Sequence, residues 1–92
     1  MEIEKLISAL HETIVFLQNS QSSGWATMSV EKIIQELESE IAKTKNSKPI
    51  DTKTLGFLFA PTGVIQETSI DNGWEDDFLR ISNIIDQFTF DK

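Results

Sequence analysis

Apolar residues recur every three or four positions in three stretches of the chain, which is the period of an amphipathic α-helix. The first stretch contains Ile3, Leu6, Ile7, Leu10, Ile14 and Leu17 and predicts a helix from residue 2 to about 18. The second contains Val30, Ile33, Ile34, Leu37 and Ile41. The third contains Trp74, Phe78, Ile81, Ile85 and Phe88. Three long amphipathic helices that share a core are therefore expected.

The ends of the second predicted helix carry recognisable capping signals. The hydroxyl of Ser29 can accept a hydrogen bond from the first turn, and Glu31 suits the positive end of the helix dipole. Lys43 and Lys45 suit the negative end, and a polar linker follows at residues 46–49. The helix should therefore begin after Ser29 and end between residues 43 and 45.

Residues 51–72 fit two different structures. Leu55, Phe57 and Phe59 alternate as in a strand, and the turn sequence Ala60-Pro61-Thr62-Gly63 would complete a hairpin at about 55–70. However, Leu55 and Phe59 also share one face of a short helix that Asp51 or Thr52 could cap and that would stop before Pro61. In that case Thr62 could cap another short helix over residues 64–69.

A lone two-stranded hairpin is marginally stable, whereas short helices need only a turn to join a bundle, so helices are favoured. We therefore predict an all-α fold: one domain over residues 1–92, built as a small helical bundle of three long amphipathic helices plus one or two short helices. The alternative is an α+β fold with the short hairpin at about 55–70.

Composition narrows the functional classes. The chain has 92 residues and no cysteine, which excludes disulfides, thiolate metal sites and cysteine nucleophiles. The N-terminus lacks the basic and apolar segments of a secretory signal, and the longest apolar runs are far shorter than the roughly 20 residues of a membrane span. We therefore expect a cytoplasmic protein that does not bind membranes.

A net charge of −7 repels phosphate backbones, so nucleic acid is not expected as a partner.

The negative charge is concentrated near the C-terminus. Residues 63–92 contain seven acidic and two basic residues, whereas lysines cluster at positions 43, 45, 48 and 53. This asymmetry would steer a cationic partner towards the C-terminal third of the chain.

A dense group of carboxylates indicates where such a partner would bind. Its members are Glu67, Asp71, Glu75, Asp76 and Asp77. Three of these acids open the last helix, where they stabilise its positive end; they could also contact a cationic protein, whereas their spacing does not match a calcium loop. Gln66 and Glu67 are polar residues that packing does not require. The candidate partner-binding residues are therefore Gln66, Glu67, Asp71, Glu75, Asp76 and Asp77.

The remaining motifs give no indication of catalysis. His11 is the only histidine and lies at the edge of the first apolar stripe, so it is interpreted as a boundary residue. No phosphate-binding loop or nucleophile elbow is present, and no catalytic residue, metal ligand or cofactor is predicted. Val15, Phe16 and Leu79 lie off the apolar stripes of their helices. Either the segments around Trp25 and residues 55–70 cover these side chains, or they form a self-association or partner patch.

The chain resembles a group of small uncharacterised bacterial helical proteins. The similarity lies in Trp25 ahead of a helix, L-F-A-P-T-G-x-I-Q-E at 58–67, and N-G-W at 72–74 before a helix with Phe78. It is more distantly similar to short helical proteins in which a glycine-rich turn followed by an acid joins the last helices, some of them suspected of immunity or inhibitor roles. The resemblance implies a recurring fold. Its structural motif comprises Trp25, Phe59, Pro61, Gly63, Asn72, Gly73, Trp74 and Phe78.

The function expected from these observations is a noncatalytic acidic protein-interaction module, such as an adaptor, an inhibitor or an immunity-type protein, that neutralises the basic surface of another protein. The alternative is a homodimeric helical protein whose interface binds a small ligand or a metal ion through carboxylates. The first requires an accessible acidic surface, and the second requires converging carboxylates.

Overall fold

The computed structural model describes residues 2–21, 28–61 and 63–89. These residues form five α-helices and no strand: α1 (Glu2–Gln18), α2 (Val30–Lys45), α3 (Thr52–Leu58), α4 (Val64–Asn72) and α5 (Glu75–Thr89). The predicted all-α fold with three long and two short helices is confirmed, and the alternative with a hairpin at about 55–70 is wrong. Trp25, which the sequence analysis places in a covering segment and in the structural motif, lies outside the described residues.

The three long helices bury their apolar stripes against one another. Fully buried members include Leu10 and Leu17 of α1, Ile33 and Leu37 of α2, and Ile81 and Ile85 of α5. Each such side chain contributes about 1.5–3 kcal/mol of transfer free energy. Ile3 is an exception, because it lies exposed in the first turn of α1. α1 packs on α2 and α5, and α5 also packs on α3 and α4, so α5 fixes the position of the short helices.

Polar contacts show that α1 and α5 run antiparallel. Near one end, the Lys5 ammonium lies 3.4 Å from Oε1 of Gln87, and further along Arg80 pairs with Glu12. The C-terminal end of α1 is therefore next to the N-terminal end of α5, where three of the predicted partner-binding acids lie.

α2 begins and ends where its capping signals predict. The Lys32 N–H donates to Oγ of Ser29 at 3.2 Å, which confirms the cap, and the helix ends at Lys45. Beyond it, the backbone N–H of Asn46 is shared between the carbonyls of residues 42 and 43.

Glu40 is a buried acid that the apolar pattern of α2 did not reveal. It is 2% exposed, and its Oε1 accepts the backbone N–H of Asp51 at 2.8 Å. Its Oε2 accepts from the Lys43 ammonium at 3.0 Å, and this hydrogen bond raises the pKa of Lys43 above its ordinary value. Glu40 therefore ties the end of α2 to the residue that starts α3.

Asp51 caps α3, as one of the two sequence alternatives predicted. Its carboxylate accepts the N–H of Thr54 at 3.0 Å and the hydroxyl of Thr54 at 2.8 Å. These two hydrogen bonds hold the pKa of Asp51 below its ordinary value. The stabilisation is therefore present above the unfolded pKa and is lost as the pH falls through the lower folded value.

A tight turn joins α3 to α4. The N–H of Gly63 donates to the carbonyl of Ala60 at 2.9 Å, which closes the turn that the sequence places at residues 60–63. The N-cap of α4 is Gly63 rather than Thr62. Phe59 and Ile65 are buried on the two sides of this turn.

Gly63 is required at this turn because the backbone passes close to its Cα. A Cβ at this position would lie 2.9 Å from the carbonyl oxygen of Ala60 and 3.1 Å from that of Phe57. We expect Gly63→Ala to lower the free energy of unfolding by about 1–3 kcal/mol through overpacking.

Chemical denaturation followed by far-UV circular dichroism tests this prediction. The matched control is Gly56→Ala, because a Cβ at Gly56 meets no atom within 4 Å. Equal stability changes in the two variants would show that the close approach at Gly63 has no energetic consequence.

The junction between α4 and α5 is fastened to the end of α1. Gly73 adopts the left-handed conformation (φ 82°) that ends α4, as glycine permits. The Asn72 side chain accepts the N–H of Gln21 at 3.0 Å and donates to its carbonyl at 2.8 Å. Trp74 Nε1–H donates to Ser20 Oγ at 2.9 Å. The predicted break at Asn72-Gly73 therefore also anchors the surface that follows.

Candidate functional site

The six predicted partner-binding residues lie on two consecutive helices. Gln66, Glu67 and Asp71 belong to α4, and Glu75, Asp76 and Asp77 form the first turn of α5. We call these six residues the acidic surface. Because α4 turns its Val64, Ile65, Thr68 and Ser69 side towards the core, its polar residues remain on the opposite side, where they are exposed or half-buried.

Part of the acidic surface is brought together by a direct contact between the helices. The amide Nε2 of Gln66 donates to Oε2 of Glu75 at 3.2 Å. Glu75, Asp76 and Asp77 line one shallow depression of about 370 Å³. Glu67 and Asp71 lie outside this depression: Glu67 is half-buried on α4, and Asp71 is fully exposed.

An apolar side chain lies among these carboxylates. Ile70 lines the same depression as Asp76 and is 49% exposed. Leu79 is 48% exposed and follows Glu75 and Asp76 by one helical turn on α5. The surface thus combines exposed apolar area with hydrogen-bond acceptors.

Arg80 is the basic residue nearest to the acidic surface along α5, and it is already paired. Its guanidinium donates to both carboxylate oxygens of Glu12 on α1 and, at 3.0 Å, to Asp77. Hydrogen bonds with Glu12 and then with Asp77 raise the pKa of Arg80. Asp76 lies four residues before Arg80 in the helix, but Asp77 is the residue that pairs with it. Asp76 and Asp71 make no ion pair or side-chain hydrogen bond within the described ranges.

The off-stripe residues divide into one covered side chain and two exposed ones. Phe16 stacks on Trp74, with ring centroids 4.8 Å apart and planes 12° from parallel. Val15 is 56% exposed, and Leu79 is also exposed. Trp74 therefore covers Phe16, a role that the sequence analysis had assigned to other segments.

Several residues of the structural motif pack near the start of α5. Trp74 and Phe78 are buried, and the Phe78 ring stacks on Phe59 at a centroid distance of 6.2 Å. Pro61 is exposed in the turn before α4. The stack of Phe78 on Phe59 joins α5 to the end of α3, and the stack of Trp74 on Phe16 joins the start of α5 to α1.

The parts of the chain that the structure describes bring no metal-ligating side chains together. His11 is exposed on α1, and its side chain makes no hydrogen bond with any described residue. Within residues 2–21, 28–61 and 63–89, no group of three or more histidine, aspartate or glutamate side chains could hold a metal ion. No described helix has both the length and the apolar character needed to cross a membrane.

Comparisons of this chain with protein-family models, with curated proteins and with solved structures give no match.

Proposed function

We propose that this chain is a noncatalytic interaction module whose acidic surface binds a protein with a basic surface. One observation carries the proposal: exposed carboxylates that have no partner among the described residues lie beside an exposed isoleucine. Asp76 lines the same depression as Ile70, and Asp71 directly follows Ile70 in α4. Lysine and arginine side chains of a partner could donate to these two carboxylates while an apolar group covers Ile70.

The charge distribution also favours the approach of a cationic partner to the acidic surface. The net charge of −5 over residues 63–92 would attract a cationic partner at long range. Once the partner is in contact, Ile70 and Leu79 would contribute apolar burial, at about 25 cal/mol per Å² of area removed from water. Charge would thus mainly set the association rate, and apolar contact would mainly set the lifetime of the complex.

An adaptor, inhibitor or immunity-type role in the cytoplasm belongs to the same proposal. It is supported by the exposed carboxylates and the exposed Ile70 of the surface described above. The homodimeric alternative stays a prediction, and light scattering of the purified chain distinguishes it by mass.

Neutralising the two unpaired carboxylates should weaken partner binding without unfolding the protein. We expect the double variant Asp71→Asn/Asp76→Asn to bind its partner at least about tenfold more weakly, the equivalent of about 1.4 kcal/mol. The matched control is Glu31→Gln/Glu38→Gln, which removes the same charge from exposed positions on α2. Because Asp76 and Glu31 each lie in the first turn of a helix, both variants should remain folded and lose a similar small stability, about 0.3–1 kcal/mol.

The measurement has two steps. Affinity capture from a lysate of the source organism, with the unmodified chain and both variants in parallel, identifies a protein that only the Asp71/Asp76 variant fails to retain. Calorimetry with that purified protein then gives the affinities at low and high salt. Equal loss in the α2 control would show that net charge alone drives binding, and retention by the Asp71/Asp76 variant would contradict the proposed surface.

A further inference from the structure

A cleft of about 310 Å³ lies between α3, the turn that follows it and α5. Its lining includes Gly56, Ala60 and Pro61 on one side and Ser82 and Asp86 of α5 on the other. This volume is at the lower end of the range for small-molecule sites. Asp86 lies ten residues beyond Asp76, or about 15 Å along the helix, so the cleft is separate from the acidic surface.

The α5 wall of the cleft presents oxygen atoms in a row. Ser82, Asp86 and Thr89 are spaced by four and three residues, which places them on one face of the helix. The Ser82 hydroxyl is 3.5 Å from the carbonyl oxygen of Phe59, a distance at the limit of a hydrogen bond. Asp86 is half-buried and has no hydrogen-bond or ion-pair partner among the described residues. Ser82, Asp86 and Thr89 therefore present oxygen atoms that can accept hydrogen bonds from a ligand.

The opposite wall contains a glycine that packing does not require. Gly56 lies in the middle of α3, where glycine is less favourable than alanine by about 1 kcal/mol. A Cβ at this position would meet no atom within 4 Å, so the fold would accept alanine there. Glycine therefore leaves this part of the cleft lining without a side chain, at the expense of helix stability.

We propose that this cleft binds a primary alkylammonium group. An ammonium has three N–H donors and no acceptor, and the oxygens of Ser82, Asp86 and Thr89 provide one carboxylate and two hydroxyls to receive them. The alkyl chain would lie against the apolar surface of Ala60 and Pro61. The group could come from a free aliphatic amine or from a lysine side chain.

Titrations monitored by amide chemical shifts in ¹⁵N-labelled protein test this proposal with three probes: n-butylamine, the neutral n-butanol, and lysine blocked at both its α-amino and carboxyl groups. We expect saturable shifts at Gly56, Ala60 and Asp86 with butylamine, and binding of butanol that is weaker by about tenfold or more. Binding of the blocked lysine would identify a peptide side chain as the natural source, whereas its exclusion would identify a free amine.

Two substitutions separate this site from general attraction to an acidic protein. Asp86→Asn should weaken butylamine binding by about tenfold or more, whereas Asp71→Asn, which removes the same charge from the acidic surface, should leave the affinity unchanged. Gly56→Ala should raise the melting temperature and weaken binding, because its methyl group narrows the cleft. Non-saturable shifts, equal affinities for butylamine and butanol, or unchanged binding by Asp86→Asn would each overturn the proposal.

Discussion

Replacing Trp74 with alanine is expected to lower the free energy of unfolding by about 3–5 kcal/mol, in the range for buried aromatic residues. The substitution removes the ring that stacks on Phe16 and the indole N–H that donates to Ser20. It also leaves a space where the N-terminal end of α5 meets the C-terminal end of α1. Chemical denaturation followed by far-UV circular dichroism measures the loss and does not depend on tryptophan fluorescence.

A Trp74→Phe variant separates the two contributions of the indole. Phenylalanine retains an aromatic ring against Phe16 but has no donor for the Ser20 hydroxyl, so we expect part of the loss, including about 1 kcal/mol for the hydrogen bond. A loss in Trp74→Ala no larger than in Trp74→Phe would show that the aromatic stack contributes no stability.

Replacing Glu40 with alanine is expected to lower the free energy of unfolding by about 3 kcal/mol, because a backbone N–H loses a charged acceptor and a buried side chain leaves a space. The N–H is that of Asp51, which starts α3. The Lys43 ammonium also loses its partner, but its side chain is 37% exposed and can be hydrated instead. Urea denaturation at neutral pH gives the change in stability.

Glu40→Gln is the informative comparison. Its amide oxygen can still accept the Asp51 N–H, while its amide nitrogen cannot accept from Lys43, so about 1 kcal/mol should be lost. If Gln and Ala cost the same, the stabilisation comes from the charge pair with Lys43 and not from the link to α3.

The long helices could be predicted because each satisfies a single period over four turns or more. Leu10, Ile33 and Ile81 are fully buried where the 3.6-residue period places them. Residues 51–72 could not be decided with the same rule, since Leu55, Phe57 and Phe59 alternate while Leu55 and Phe59 also share a helix face. The structure resolves the ambiguity through contact with α5, which buries Leu55 and leaves Phe57 exposed.

The environment of Glu40 and the exposure of Ile70 depend on tertiary contacts, which no local sequence pattern contains. Glu40 lies seven residues after Ile33, on the edge of the apolar stripe, where a carboxylate usually remains solvated; here the chain returns and offers it the N–H of Asp51. Similarly, the positions of the acids on α4 and α5 followed from the sequence, but the exposure of Ile70 beside them did not. α4 is too short for its pattern to define one face.

The junction at Asn72 and Gly73 has a consequence for recognition. The hydrogen bonds between Asn72 and Gln21 and the stack of Trp74 on Phe16 fasten the junction of α4 and α5 to the end of α1. A protein that docks on the carboxylates would meet a preformed template, so this chain would lose little conformational entropy. Most of that loss would fall on the partner's long cationic side chains, and a partner with arginines already held in place should bind most tightly.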